Sequence, residues 1–174
     1  IGPELLQRSQ VLGAGLQGVP RGTVKQLRLF TYHFAYHGMG GQLNRVGLDV
    51  VVCTGRNRIQ AGEVSRILGW SSFIAELGCI VMYDRREPAE YLLGEWPDGM
   101  LLPGETPHQA MTRYGALKVL TETFPGKIEE HDPWHTDREV THVLRGSIDC
   151  AEAQAALDTL EVPIAIIDNG IVHP

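Results

Sequence analysis

The stretch "GLDVVVCTGRNRIQAGEVSRILGW", Gly47 to Trp70, decides how the rest of the chain is read. "LDVVVC" is a continuous apolar, β-branched run, the pattern of a strand buried on both faces of a parallel sheet. It halts at Thr54-Gly55-Arg56, and a helical pattern follows at once. Asn57 and Gln60 are spaced as a capping box. Ala61, Val64, Ile67 and Leu68 share one helical face, and Gly69 suits the C-terminal stop. "SFIAELGCIVMYD" then supplies a strand pair interrupted at Gly78. Strand, helix, strand is a parallel crossover unit.

A threonine, a glycine and an arginine at the C-terminal end of such a strand suit an anion. Ligands of open α/β sheets gather at those strand ends, and a following helix offers backbone N–H groups and the positive end of its dipole. Thr54 can donate a hydroxyl hydrogen bond to a phosphoryl oxygen, Gly55 permits close backbone approach, and Arg56 has a planar fork for a carboxylate or phosphate. Asn57, next in the chain, and Glu76, at the end of the following strand, are counted with them as candidate substrate-binding residues. The competing reading makes Thr54 a helix cap and Arg56 a solvated charge.

Composition narrows the partners. The 174 residues are 43% hydrophobic, enough for one ordinary domain or two small ones. Fifteen basic against 21 acidic residues give a formal charge of -6, which argues against a nucleic-acid or anionic-membrane binder. A phosphorylated substrate stays open, because a bound divalent metal supplies local positive charge. Cys53, Cys79 and Cys150 form no CxxC pair, so neither a disulfide framework nor a zinc ribbon is supported. With no signal peptide and no apolar run long enough for a bilayer, a cytoplasmic location is expected.

Residues 1–30 are poorly patterned and read as loop or weak structure; "LRLFTYHFAYHGMGGQLNRV" is ambiguous between strand and helix. From Asp84 the pattern changes. Thr106 caps a helix with Pro107 at its first position, and Ala110, Met111, Tyr114 and Leu117 form its buried stripe. "GKIEEH" and "REVTHVLRG" read as strands, the second alternating Val140, His142, Leu144. Asp149 and Glu152 precede a helix over about 150–160. "PIAII", Asp168-Asn169-Gly170 and "IVH" read as a hairpin, since Asn-Gly tolerates a type I′ turn. This half suits an α+β layer with helices on one face of a mainly antiparallel sheet. A chain that starts at Ile1 and stops just past that turn is expected to be a fragment or a truncated gene model.

With these residues in view, "VVVCTGRNRIQAGEVSRILGWSSFIAELGCIV" resembles the second conserved block of the haloacid dehalogenase (HAD) superfamily, in its Cof-type and mannosyl-3-phosphoglycerate phosphatase-like branch. There a strand ends in Thr/Ser-Gly-Arg and a later strand enters a Glu-Asn-Gly turn. Here that turn is Glu76-Leu77-Gly78, a departure at its middle residue. The segment from Arg85 onward, including "PWHTDREVTHVLRG", is similar in layout to that branch's inserted cap. The resemblance implies an α/β fold: a partial HAD-like, Rossmannoid parallel-sheet core over 1–83 and an α+β cap over 84–174. It implies Mg²⁺-dependent hydrolysis of a small phosphate ester of sugar or glycerate type by an aspartyl nucleophile. Thr54 and its neighbours would hold the phosphoryl group, and Trp134, His135, Arg138 and Glu139 are the cap residues expected to contact substrate.

The family's first block, Asp-x-Asp-Gly-Thr, is not found. No Asp-x-Asp precedes Gly47, and the later Lys and acidic blocks are not seen either. Without a carboxylate nucleophile and a magnesium site the chemistry has no pathway. No catalytic residue and no metal ligand is therefore assigned, and the chain is expected to be inactive. The alternative is a non-catalytic binding module or degenerate paralogue.

Other motifs carry less. "AIIDNG" lacks the second Asp of a first block, and "GAGLQG" lacks the flanking strand and helix of a dinucleotide fingerprint, which would have implied a nicotinamide-dependent oxidoreductase. His33 and His37 lack the neighbouring Glu of a zincin, His131 and His135 flank "DPW", and His108 is expected to be exposed. Neither a Gly-x-Ser-x-Gly elbow nor a phosphate-binding Gly-x₄-Gly-Lys loop occurs. An unpaired edge at Leu48 to Cys53, unless "LRLFTY" covers it, predicts a homo-oligomer or poor solubility.

Overall fold

The computed structural model describes residues 7–14, 51–84 and 86–173, and shows a mixed arrangement of sheets and helices. The described elements fall in two compact units, Val19–Leu92 and Leu93–Pro174, the second joined by Ile1–Gly18.

In the first unit, β2 (Val52–Cys53) leads through α1 (Arg58–Ile67) to β3 (Phe73–Ala75), and β2 and β3 pair in parallel. That is the expected crossover. The turn Glu76–Gly78 reverses the chain into β4 (Ile80–Met82), and β5 (Glu90–Tyr91) adds antiparallel to β4. The sheet order is β2-β3-β4-β5, and β5 lies beyond the 83/84 boundary drawn from sequence.

Two details of the expected pattern change. Val51 is 49% exposed and Val52 and Cys53 are only half-buried, so the described end of the run is not covered on both faces. Among the described residues β2 ends its sheet and gains neighbours on one side alone. On α1 the covered residues are Ala61 and Ser65, while Ile67 is exposed. Ser65 tolerates burial because its hydroxyl donates to the Trp70 carbonyl at 2.9 Å. Gly69, with φ of 74°, stops the helix as expected.

The second unit is built on one antiparallel sheet of order β6-β7-β1-β8: β1 (Gln7–Ala14), β6 (Ile128–Glu130), β7 (Thr141–Gly146) and β8 (Ile164–His173). Its helices are α2 (Pro107–Arg113), α3 (Ala116–Thr123) and α4 (Cys150–Asp158). The core gathers Met111, Leu120 and Leu157 from the helices with Ile128, Leu144, Ile164 and Ile166 from the strands. Thr106 and Gln109 complete a reciprocal capping box, and Asp149 accepts from the Ala151 and Glu152 amides. Gly115, at φ of 79°, splits the expected single helix into α2 and α3. Arg113 grips Glu105 through two guanidinium nitrogens and holds that carboxyl down to about 2, aided by the Leu102 amide.

Two sequence expectations fail here for one reason. Residues 7–14, read as loop or weak structure, form a strand because β7 and β8 bond to both of its edges. The hairpin at Asp168-Asn169-Gly170 is absent, because β8 runs on and pairs with β1 from Ile164 to His173. Arg8 pairs with Val172 and Gln10 with Asp168, so Ser9 faces three residues, Asn169 to Ile171. Asn-Gly sits in a bulge, another use of its conformational freedom. "LRLFTY", His33, His37 and most of "GAGLQG" lie outside the described residues. Among the described residues no helix is long and apolar enough to cross a membrane.

Gly146 marks the closest backbone approach in this sheet. A Cβ there would collide with the Lys127 carbonyl oxygen and come within 3.0 Å of Ile128 Cα. Both neighbours are backbone that cannot rotate aside. Gly146→Ala should therefore destabilise the protein by about 2 kcal/mol, the usual cost of overpacking. A urea midpoint equal to that of the parent would disprove this close packing.

Candidate functional site

The Thr54–Arg56 turn sits at the C-terminal end of β2, and its own hydrogen bonds shape it. The Thr54 amide donates to the Ile74 carbonyl at 2.9 Å, extending the parallel ladder one residue beyond Cys53. The Arg56 amide donates to Thr54 Oγ1 at 3.3 Å, folding the chain over the hydroxyl. Asn57, 1% exposed, is the N-cap of α1, its Oδ1 accepting from the Gln60 amide at 2.8 Å. Only this half of the expected capping box forms, since Gln60 Oε1 is buried with no hydrogen-bond partner. Thr54 is thus not the helix cap; Asn57 is.

A second turn clasps the first. The Glu76 amide donates to the Arg56 carbonyl at 2.9 Å, and the Leu77 amide to the Thr54 carbonyl at 3.2 Å. Glu76, Leu77 and Gly78 have φ of 46°, 61° and 105°, all in the left-handed region. Glycine adopts it without strain and Asn tolerates it, whereas a leucine costs about 1–2 kcal/mol. Leu77 recovers part of this by packing on the turn: a Cβ on Gly55 would lie 3.1 Å from Leu77 Cδ2. Glu76 is fully buried beneath the clasp.

Thr54, Gly55, Arg56, Asn57 and Glu76 are thereby brought together. Thr54, Gly55 and Arg56 are half-buried. The Thr54 hydroxyl accepts from Arg56, and among the described residues it donates to nothing. Its proton is available to an incoming acceptor.

His135, Arg138 and Glu139 belong to the other unit. Arg138 is buried and braces the chain: its Nε reaches Thr141 Oγ1 at 2.9 Å and the Thr141 carbonyl at 3.2 Å, and a terminal nitrogen reaches the Trp134 carbonyl at 3.1 Å. Glu139 accepts the His108 amide through its carbonyl. His135 is a quarter exposed and faces Glu130 at 3.9 Å. His108 is half-buried rather than exposed, because its ring stacks on His142 with centroids 3.8 Å apart. Sequence reasoning missed this histidine cluster. The alternation of Val140, His142 and Leu144 was its one signal, since it sets an imidazole in an inward-facing row. Asp168, the alternative first-block acid, borders a depression with Asp149, whose carboxylate is committed to capping α4.

Magnesium has no assembled ligand set among the described residues. No Asp precedes Asp49. Among the described residues no group of three His, Cys, Asp or Glu is arranged to hold a metal.

The strain at Leu77 can be measured. Leu77→Asn should raise stability by about 0.5–1 kcal/mol, because Asn accepts the left-handed backbone. Leu77→Val should lower it by about 2 kcal/mol, because a β-branched residue does not. Chemical denaturation of both variants decides it, and the opposite order would show that the Gly55 contact outweighs the backbone. Comparison with family models, curated proteins and solved structures finds no match to this chain.

Proposed function

We propose that the Thr54–Arg56 turn binds the phosphoryl group of a small phosphate ester, in the manner of HAD-like hydrolases, and that these 174 residues do so without hydrolysing it. One observation carries the reading. A threonine hydroxyl with an uncommitted proton stands at the C-terminal end of a parallel strand, just before a ten-residue helix. A phosphate oxygen accepts such a proton, and the dipole of α1 favours its charge. The clasp from Glu76 and Leu77 fixes the hydroxyl before the ligand arrives, so little ordering accompanies binding.

The hydrolytic half of the resemblance lacks its reagents in this sequence. In-line attack on phosphorus needs a nucleophile aligned with the leaving oxygen, and the Asp-x-Asp block that would supply it does not precede Gly47. The proposal draws on residues of the first unit alone, with a sugar or glycerate phosphate as the ligand class.

Isothermal titration with 3-phosphoglycerate and with inorganic phosphate tests it. Thr54→Ala should weaken binding by about 10-fold or more, the worth of a hydrogen bond to a charged group. Thr54→Ser should retain it. Equal affinity of Thr54→Ala and parent would remove the turn from consideration. With Mg²⁺ and p-nitrophenyl phosphate no turnover is expected; turnover abolished in Thr54→Ala would overturn the non-hydrolytic half.

A further inference from the structure

The junction of α2, β7 and residues 131–138 flanks the apolar core, which Met111 of α2 and Leu144 of β7 enter, and adds polar contacts to it. The His108 amide donates to the Glu139 carbonyl at 3.1 Å, the His131 amide to the Val143 carbonyl at 3.0 Å, and Arg138 ties Trp134 to Thr141. His142 stands at the centre, its side chain 4% exposed. Its ring lies face to face with that of His108, the two planes 14° apart.

The surrounding bonds set the protonation state. His108 Nδ1 is 3.0 Å from the Thr141 carbonyl, so that nitrogen carries a hydrogen. His142 Nε2 is 3.3 Å from the His108 carbonyl and also 3.3 Å from Thr112 Oγ1, whose own proton goes to that carbonyl at 3.0 Å, so Nε2 serves as the donor. The neutral ring then presents a bare lone pair at Nδ1, which has no hydrogen-bond partner. That lone pair looks towards Glu130 Oε1 at 4.0 Å, while the other carboxylate oxygen of Glu130 faces His135 Nε2 at 3.9 Å. His135 Nδ1 is likewise unpartnered, with Asp132 at 4.0 Å.

We propose that His142, stacked on His108 with Glu130 4.0 Å away, is an acid-operated latch. Uncharged, it holds residues 131–138 and the first turn of α2 against β7; protonated, it releases them. A cation on that ring is desolvated, lies parallel against a second imidazole and shares its surroundings with Arg138 and His135. Burial first, then His108, Arg138 and His135, lower its pKa from 6.5 to about 4, although the His108 carbonyl pulls the other way. Glu130 and Asp132 are the acids on that side, and neither bonds directly to an imidazole.

The sign follows from linkage. An opened His142 takes up its proton near pH 6.5, the closed one only near pH 4. The closed form is fully favoured above the first value and loses ground as pH falls towards the second. Two pH units inside that window shift the opening equilibrium by about 100-fold. Met111 and Leu144 anchor α2 and β7 in the apolar core and do not titrate, so opening is confined to the polar contacts around His142.

Amide hydrogen exchange on the full chain, corrected for intrinsic rates, reads this directly at about pH 7.5 and pH 4.5. Protection at His108 and His131 should fall on the order of 100-fold, while Ala153 and Leu157 in α4 hold theirs. His142→Phe keeps a ring on His108 without a titrating nitrogen, and should leave junction protection flat with pH. His142→Gln keeps a donor for the His108 carbonyl and serves the same purpose should the phenylalanine variant not fold. Acid loss of protection in these variants equal to the parent's would overturn the latch. So would α4 amides opening in step with the junction, since that is global unfolding.

Discussion

Two backbone hydrogen bonds, from Glu76 to the Arg56 carbonyl and from Leu77 to the Thr54 carbonyl, are what the first unit's site depends on. Among the described residues strand β2 is two residues long and pairs on one side, so it cannot by itself fix the direction in which the chain leaves it. The clasp does this from outside. It sets the carbonyls of Thr54 and Arg56, and the Arg56 amide then closes on the Thr54 hydroxyl. The hydroxyl's lone pair is engaged and its proton is turned loose, a division of roles that a freely rotating threonine would lack.

The same clasp explains why a strained backbone is tolerated there. Three consecutive residues with positive φ are unfavourable unless neighbouring contacts over-determine them. Buried Glu76 and the packing of Leu77 against Gly55 provide that. Gly55 matters because the absence of a side chain lets Leu77 descend onto the turn. Strain and site are therefore coupled through one glycine–leucine contact.

How far the sequence could be read follows from which forces are local. The crossover was legible because its signals sit within a few residues of each other: a β-branched run, Asn57 spaced to cap, Gly69 to stop. The same holds for Thr106-Pro107 and for Asp149. Strand β1 was illegible because "QRSQVLGA" has no alternation of its own; its pairing comes from two strands more than a hundred residues away. Asn169-Gly170 was misread because a local turn preference competed with a continuous ladder, and non-local hydrogen bonds won. In the candidate site, Thr54, Gly55, Arg56 and Asn57 were found by adjacency. The role of Leu77 needed a φ angle that no sequence shows.

The histidine cluster makes the last distinction. Alternation along Val140, His142 and Leu144 says that three side chains point inward, and all three are buried. It does not say what each meets. Val140 and Leu144 are satisfied by any apolar neighbour, so the pattern suffices for them. An imidazole is satisfied only by donors and acceptors of the right kind, and those come from α2 and from the chain around Glu130. One nitrogen of His142 finds the His108 carbonyl and the other finds nothing. A buried apolar residue there would carry no proton to gain or lose. An imidazole makes the junction's stability depend on protons, which distinguishes it from the apolar residues of its own row.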